Sequence, residues 1–362
     1  MKIKQFIYPH SSIDVLFKQS KDNFVVNEVP LYEFSGDGEH LIIQFRKKDL
    51  TTWVALEIFA KYFSCSVRDF GYAGLKDKSA MTVQYISINK KLVSNLENFN
   101  HENIKILSTT YHNNKIKIGH LKGNNFFIRL KRVLPQDELK ISQVLAQIER
   151  FGIPNYFGYQ RFGILGDNYK KGEEIIQGKL KERKKKLKKL YINAYQSHLF
   201  NEWLSKRIEI SKLISEFKPS ELTQMLGLSQ DVLKELKKQI HPFKILEGEL
   251  MSHYPYGKIF YAEDVNTEAN LFYEKQKVPT GLLLGEKTML SKDLAFKYEK
   301  DLSEIGANIN GARRFAWIFP QDIKSTFKED KKHLELEFYL PKGSYATELI
   351  AELLHQNLHS NS

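Results

Sequence analysis

The sequence predicts an α+β protein in which sheet-forming chain ends are separated by an inserted, mostly helical segment. Strand-like alternation of apolar and polar residues occurs in the first third of the chain and again near its end. Beyond Pro154 the composition becomes more helical. The 362 residues, 42% of them hydrophobic, are enough for a packed core and favour two domains over one.

The first third alternates strands with one helix. Residues 24–29 and 41–45 are rich in β-branched and aromatic side chains, which predicts two strands. Thr51 and Thr52 are candidate N-caps, because the apolar residues of the next ten positions lie mostly at helical spacing. Residues 82–88 predict a further strand.

The remaining elements follow from the same patterns. From 115 to 121 an alternation of period two predicts a ribbon with basic side chains along one face, and 126–130 predicts its second strand. Eight of the twelve residues in 179–190 are basic, and the leucines there lie close to one helical face, which predicts a cationic amphipathic helix. Alternation over 334–339 predicts a last strand, and 347–358 a last helix.

The net charge and the hydropathy of the chain limit the classes of partner that it can bind. Lys and Arg number 55 against 43 Asp and Glu, so the net charge is +12, which favours a polyanionic partner. No segment reaches the ~18 uninterrupted apolar residues of a membrane span, and the first residues lack the apolar core of a signal peptide. We therefore expect a soluble, cytoplasmic protein with no membrane partner.

The usual catalytic motifs are absent from the sequence. The single cysteine, Cys65, excludes an internal disulfide and a cysteine-based metal cluster. The eleven histidines are scattered, and no two lie at the i, i+4 spacing of a helical metal site with a carboxylate between them, so we predict no metal. The chain also lacks a phosphate-binding loop, a zinc-protease motif and a serine-hydrolase elbow.

The most informative segment is 70–84, a glycine-containing turn that precedes a predicted strand. It places Asp77 between Lys76 and Lys78, and the flanking cations favour the carboxylate form of Asp77. On composition alone, such a turn is more often a solvated loop than a site.

The whole segment resembles the signature of the TruD family of tRNA pseudouridine synthases, Ala-Gly-x-Lys-Asp-Lys followed by Ala-x-Thr-x-Gln. The matching residues are Ala73, Gly74, Lys76, Asp77, Lys78, Ala80, Thr82 and Gln84. Further matches occur in the family's order at 37–40, 121–126, 154–163, 197–201, 279–281, 311–314 and 340–347. One departure is Leu282–Leu284, where the family usually has Gly-Pro-Leu, and it bears on local loop shape.

The resemblance implies a fold and a reaction. It implies a pseudouridine-synthase-type catalytic domain with a mixed or antiparallel sheet, formed by 1–156 and 310–362. The inserted TRUD domain, mostly helical α+β, would span 157–309. The reaction implied is conversion of a tRNA uridine, number 13 in bacterial members, into pseudouridine without a cofactor. Asp77 matches the catalytic aspartate, which would attack either the uracil ring or the ribose.

The resemblance also assigns substrate-binding roles. Phe126 would stack on the flipped uracil and Asn124 would orient the site, although an isolated Phe in a strand is more often part of a core. Lys76 would keep Asp77 ionised or engage a phosphate, or it is simply a solvated turn lysine. Arg161 would lie near the RNA, or stack structurally on Phe157 or Phe162.

Basic residues outside this site are candidates for RNA-backbone contacts. They are Arg46, Lys47, Lys184, Lys185, Lys186, Lys188 and Lys189. Most charge runs are solvated helix faces, and this alternative stays open for the lysine run. The rival function is a non-catalytic tRNA-binding chaperone that keeps the same cleft. A membrane-surface protein is a third class, for which the leucines of the run are too sparse.

Overall fold

The structure, a computed structural model, describes residues 4–76, 78–303, 305 and 309–358. Asp77, the predicted nucleophile, lies outside the described residues. The chain forms two compact units. The first, here called the sheet unit, comprises Asp14–Ser142 and Pro320–Gly343. The second, the helical unit, comprises the described residues within Met1–Ile13, Gln143–Phe319 and Ser344–Asn361.

These two units are defined by the contacts among their residues. They do not test the predicted domain bounds, 1–156 with 310–362 and 157–309, which stay a prediction. The strands are β1 Phe24–Pro30, β2 His40–Lys47, β3 Gly71–Tyr72, β4 Met81–Asn89, β5 Ile104–His112, β6 Leu121–Lys131, β7 Ile153–Pro154, β8 Leu250–His253, β9 Ile259–Tyr261, β10 Lys277–Leu283, β11 Ala312–Phe315, β12 Trp317–Ile318, β13 Gln321–Lys328 and β14 His333–Pro341. The helices are α1 Thr52–Tyr62, α2 Pro135–Phe151, α3 Asn168–Ile176, α4 Lys185–Glu216, α5 Pro219–Leu226, α6 Gln230–Lys238, α7 Val265–Tyr273, α8 Asp293–Phe296, α9 Lys300–Ser303 and α10 Ala346–Leu354.

The sheet unit is built on one mixed sheet. Its strand order is β13-β14-β6-β1-β4-β2-β5, and β3 pairs with the flank of β4. β1 and β4 run parallel, whereas the other pairs are antiparallel. The strands predicted at 24–29, 41–45, 82–88, 126–130 and 334–339 all occur in this sheet. The predicted mixed α+β class is therefore confirmed for this unit.

One face of the sheet is covered by α1. The helix begins after Thr51, whose hydroxyl accepts a hydrogen bond from the backbone N–H of Val54 at 3.3 Å, as the N-cap prediction required. Phe59 packs edge-on against Phe45 of β2, with ring centroids 5.2 Å apart. Leu56, Phe59 and Phe45 are fully buried, so this contact holds the helix against the sheet.

The helical unit combines α4 with two small sheets, one ordered β11-β10-β8-β9 and one joining β12 to β7. Its core includes a buried histidine, His241, whose Nε2 donates to the carbonyl of Phe151 at 2.9 Å while Nδ1 accepts the N–H of Phe243 at 3.1 Å. Burial lowers the pKa of His241 to about 3, so the ring is neutral and structural. No helix within the described part of the chain is long and apolar enough to cross a membrane.

The predicted ribbon over 115–121 was wrong, because residues 115–120 form a loop and the strand begins at Leu121. The backbone there has partners other than a neighbouring strand. The N–H of Ile116 donates to the hydroxyl of Ser87 at 2.8 Å, and the N–H of Gly119 donates to the carbonyl of Ala73 at 2.8 Å. Gly119 has a positive φ of 90°, which turns the chain.

The helix predicted over 179–190 begins only at Lys185, and the last helix ends at Leu354 instead of 358. Residues 179–184 are not helical, so Leu180 does not belong to a helical stripe. Lys184 is extended, and its N–H donates to the Glu182 carboxylate at 2.7 Å.

Candidate active site

A buried polar cluster joins the 70–84 segment to the sheet. Glu28 of β1 lies directly opposite Asn124 of β6 in the antiparallel register. The Lys76 ammonium lies 3.1 Å from the Glu28 carboxylate and donates a hydrogen bond to Asn124 Oδ1 at 2.7 Å. The Lys76 and Glu28 side chains are only 9% and 2% exposed. Lys76 is therefore not a solvated turn lysine.

The charges in this cluster compensate each other. Burial raises the pKa of the Glu28 carboxyl, and the ammonium of Lys76 opposes that rise. An ionised carboxylate at this depth is costly without a partner, so the ion pair stabilises both charges. Glu28 was missed in the sequence analysis. The alternation along β1 could have identified it: Glu28 lies two residues after Val26 and four after Phe24, and both of these face inward.

The backbone of the loop is anchored at the same point. The N–H of Lys76 donates to the Thr52 hydroxyl at 2.9 Å, and that hydroxyl donates to Gln84 Oε1 at 3.0 Å. Thr52 and Gln84 are both buried, so the first turn of α1 and strand β4 together fix the residue preceding Asp77. Leu75 is 59% exposed and Lys78 is exposed, so the chain reaches the surface on both sides of Lys76.

On β4, beside this cluster, two polar atoms have no hydrogen-bond partner in the described chain. They are Gln84 Nε2 and Thr82 Oγ1, both on fully buried side chains of β4. Buried polar groups are normally paired, so these two atoms are exceptions in the described part of β4.

Phe126 lies on the same strand as Asn124 and is 8% exposed. Its ring stacks on Phe338 with centroids 5.4 Å apart and meets Phe24 edge-on at 6.0 Å. These contacts are those of a core residue, so the ring is held rigidly. Stacking of Phe126 on a uracil stays a prediction.

A glycine next to Asn124 is required by close packing. A Cβ on Gly123 would lie 2.1 Å from the carbonyl oxygen of Leu340 and 2.5 Å from the Tyr339 hydroxyl. No side chain fits there without moving the backbone of β14. Gly123 thus allows β6 and β14 to approach beside the polar cluster.

The two candidate cations at the end of β2 differ. Arg46 is exposed, but Lys47 is fully buried and its ammonium donates to the carbonyl of Leu50 at 2.6 Å. The backbone contact predicted for Lys47 therefore needs correction, because alternation along the strand directs this side chain into the core.

In the helical unit, Arg161 fits the structural alternative. Its guanidinium lies 5.5 Å from the Phe157 ring centroid, and its Nε donates to the Ser197 hydroxyl at 3.0 Å. The five lysines of the run, at 184–186 and 188–189, are all exposed around the start of α4. Neither observation tests RNA binding. Among the described residues, no group of three His, Cys, Asp or Glu side chains is placed to hold a metal ion.

Comparison with known proteins identifies the family to which the chain belongs. The family model for tRNA pseudouridine synthase D (TruD) matches residues 1–185 and 180–353. The chain belongs to the TruD family. The resemblance seen in the sequence is therefore confirmed.

Curated relatives match over almost their whole length. The tRNA pseudouridine synthase D of a Nitratiruptor species is 54% identical over 353 residues, which cover 98% of each chain. That of Sulfurimonas denitrificans is 51% identical, over 96% of this chain and 98% of its own. A crystal structure assigned to TruD from Methanosarcina mazei has a TM-score of 0.69 at 21% identity, covering 98% of this chain and 97% of that one. It supports the TruD fold for the whole chain.

Proposed function

We propose that this chain isomerises uridine 13 of tRNA to pseudouridine without a cofactor, with Asp77 as the nucleophile. One observation carries the proposal. The family's signature segment is fixed by a buried Glu28–Lys76–Asn124 cluster immediately before Asp77. A solvated Lys-Asp-Lys turn would not need such an anchor.

The reaction balances without any external redox partner or group donor. The bond from N1 of uracil to C1′ of ribose breaks, the base turns, and a bond from C5 to C1′ forms. The proton leaves C5, and N1 takes up a proton. A carboxylate that bonds covalently to the ring or to the ribose divides this change into easier steps.

The neighbouring residues position the reacting groups. Extruding the base costs about a few kcal/mol of stacking, which a rigid aromatic such as Phe126 partly offsets. Lys76 is neutralised by Glu28, so we assign it to holding the loop and not to binding phosphate. Anchoring the loop at Lys76 orders this part of the site before the substrate arrives, which favours attack.

The basic residues at the surface supply affinity. The exposed lysine run would contact the RNA in this proposal, and phosphate contacts of this kind carry no sequence information. A cytoplasmic location follows from the substrate and remains a prediction.

The test uses purified protein and unmodified tRNA, with no added cofactor or metal. Pseudouridine is mapped by carbodiimide-dependent stops of reverse transcription. We expect a new stop at uridine 13, lost in Asp77→Ala with tRNA binding largely retained. Asp330→Ala is the control, since Asp330 is exposed and also carboxylic, and it should keep full activity.

Three outcomes would overturn parts of the proposal. A stop at another uridine would overturn the assignment of position 13. Loss of binding and folding together in Asp77→Ala would make Asp77 structural. Tight, salt-sensitive binding without a new stop on any tRNA would favour the non-catalytic chaperone.

A further inference from the structure

The sheet of the sheet unit has an open face, opposite the one that carries Glu28 and Asn124. Side chains alternate between the two faces of a strand, so the intervening residues lie on the open side. The strand registers connect them into a row that crosses the sheet: Asn125, Asn27, Val83, Arg46 and Lys105. None of these five residues is buried, so the row faces solvent.

The charges along this face are not balanced. Arg46 of β2 lies directly opposite Lys105 of the edge strand β5. Like charges in directly opposite positions destabilise a sheet. Elsewhere on the same face, Arg129 lies opposite Glu335 and forms an ion pair of 2.9 Å. The sheet therefore tolerates an uncompensated cationic pair at one edge, where an anionic ligand would remove the repulsion.

Arg46 and Lys105 line a groove of about 1240 Å³, together with Lys48. Within the residues that the structure describes, none of these three side chains forms an ion pair or a side-chain hydrogen bond. The groove also contains Asp22, Glu97 and Glu102. No ion pair joins any of these acids to the three cations among those same residues.

The floor of the groove is apolar. Phe127, Val25 and Met81 lie side by side on β6, β1 and β4, and each is half-buried. The guanidinium of Arg129 lies 5.5 Å from the centroid of the Phe127 ring. A partly exposed aromatic ring beside an arginine, on a face that also carries Arg46 and Lys105, resembles the surfaces by which open sheets bind unpaired bases.

We infer that this open face binds a segment of RNA outside the reacting uridine. Its phosphates would contact Arg46, Lys105 and Lys48, and one base would stack on Phe127. The inference rests on the proposed function for the identity of the RNA, which is the tRNA substrate. Arg46 and Lys105 form no ion pair among the described residues, and the chain has a net charge of +12. Both observations favour a polyanion over a protein partner or a second copy.

The test compares Arg46→Gln/Lys105→Gln with the wild type. The double variant should fold normally, because it removes a repulsion. Its Kd for unmodified tRNA should rise at least about fivefold near physiological salt. The slope of log Kd against log salt should fall by roughly 1.4 to 1.8, at ~0.7–0.9 for each lost phosphate contact.

Lys91→Gln/Lys140→Gln is the matched control, because both lysines are exposed in the sheet unit and neither lines the groove. It should bind like the wild type. Crosslinking of wild-type protein to 4-thiouridine-substituted tRNA gives a second readout that needs no variant. We expect crosslinked peptides from 100–109 or from the strand that carries Phe127.

Unchanged Kd and salt slope in the double variant, with no crosslink to these peptides, would overturn the inference. Self-association that the double variant abolishes, again without a crosslink, would assign the face to a second copy instead. Pseudouridine is measured in the same wild-type samples. If the wild-type protein binds tRNA through this face but forms no pseudouridine, the proposed enzymatic function is wrong and the proposed RNA-binding face is retained.

Discussion

Lys76 holds together the loop that precedes Asp77, because its ammonium contacts both Glu28 and Asn124. Removing one member of a buried ion pair leaves the other charge without compensation, which destabilises a protein by about 3 kcal/mol or more. We expect this loss in the free energy of unfolding for Glu28→Gln and for Lys76→Met, each measured by urea titration at neutral pH.

The double variant Glu28→Gln/Lys76→Met distinguishes an ion pair from two separate packing contacts. It buries no unpaired charge, so its loss should be smaller than the sum of the two single losses. Losses that simply add would show that the two side chains stabilise the fold independently. Pseudouridine formation should fall in all three variants, because each releases the loop.

At the scale of single residues, the sequence predicted which residues belong to the site better than it predicted what surrounds each side chain. Asn124 and Lys76 were selected by the family motif, and the structure brings them within hydrogen-bond distance. Glu28 belongs to none of the motifs in the sequence analysis, and its partner Lys76 lies 48 positions further along the chain. Lys47 was misjudged because its neighbour Arg46 is equally basic, and only strand parity separates the buried ammonium from the exposed guanidinium.

At the scale of elements, α10 fixes the N-terminal segment of the helical unit. The Glu352 carboxylate accepts the backbone N–H groups of Ile7 at 2.8 Å and Tyr8 at 3.2 Å. Lys4 pairs with Glu348, one turn earlier on the helix. Burial raises the pKa of Glu352 from 4.5 to about 7, although Lys4 and the two N–H groups oppose the rise.

This pKa makes the stability of the helical unit depend on pH. The folded state holds a proton on Glu352 that the unfolded state has released between pH 4.5 and 7. The stabilisation is therefore present below pH 4.5 and is lost as the pH rises through 7. Glu352→Gln removes this dependence. Relative to wild type, the free energy of unfolding of the variant should rise by up to about 3 kcal/mol between pH 5 and 8, at 1.36 kcal/mol per pKa unit.

Urea unfolding at pH 5, 6.5 and 8 measures this difference. Glu216→Gln is the control, since Glu216 is exposed at the end of α4. That variant should parallel the wild type at every pH. A constant offset between Glu352→Gln and wild type would show that Glu352 has the same pKa in both states.

The elements predicted correctly are those in which local pattern and tertiary packing agree. Strand β6 and helix α1 have both an apolar face and an apolar surface to cover. Residues 115–120 show the same alternation, but their N–H groups bond to a side chain and to a loop carbonyl. A pattern of hydrophobicity does not reveal such partners. Nor does it predict that α4 begins only at Lys185.

At the scale of the whole molecule, two cationic sites lie on different compact units. One is the lysine run of the helical unit, and the other is the Arg46–Lys105 face of the sheet unit. If both contact one tRNA at the same time, the free energies lost on neutralising each site should add, because neither site shares a residue with the other. We test this with Gln at 184–186 and 188–189, with Arg46→Gln/Lys105→Gln, and with the combined variant.

The salt dependence of tRNA binding distinguishes one complex that uses both sites from two sites that bind separate RNA molecules. In a single complex, the reduction of the salt slope in the combined variant should equal the sum of the two separate reductions. If the sites are alternatives that bind separate RNA molecules, neutralising either one leaves the other intact, and each separate variant should lose at most about half of the binding. An unchanged slope for the lysine variant would make that helix end a solvated face. The net charge of +12 would then act on RNA through the sheet unit and through long-range attraction.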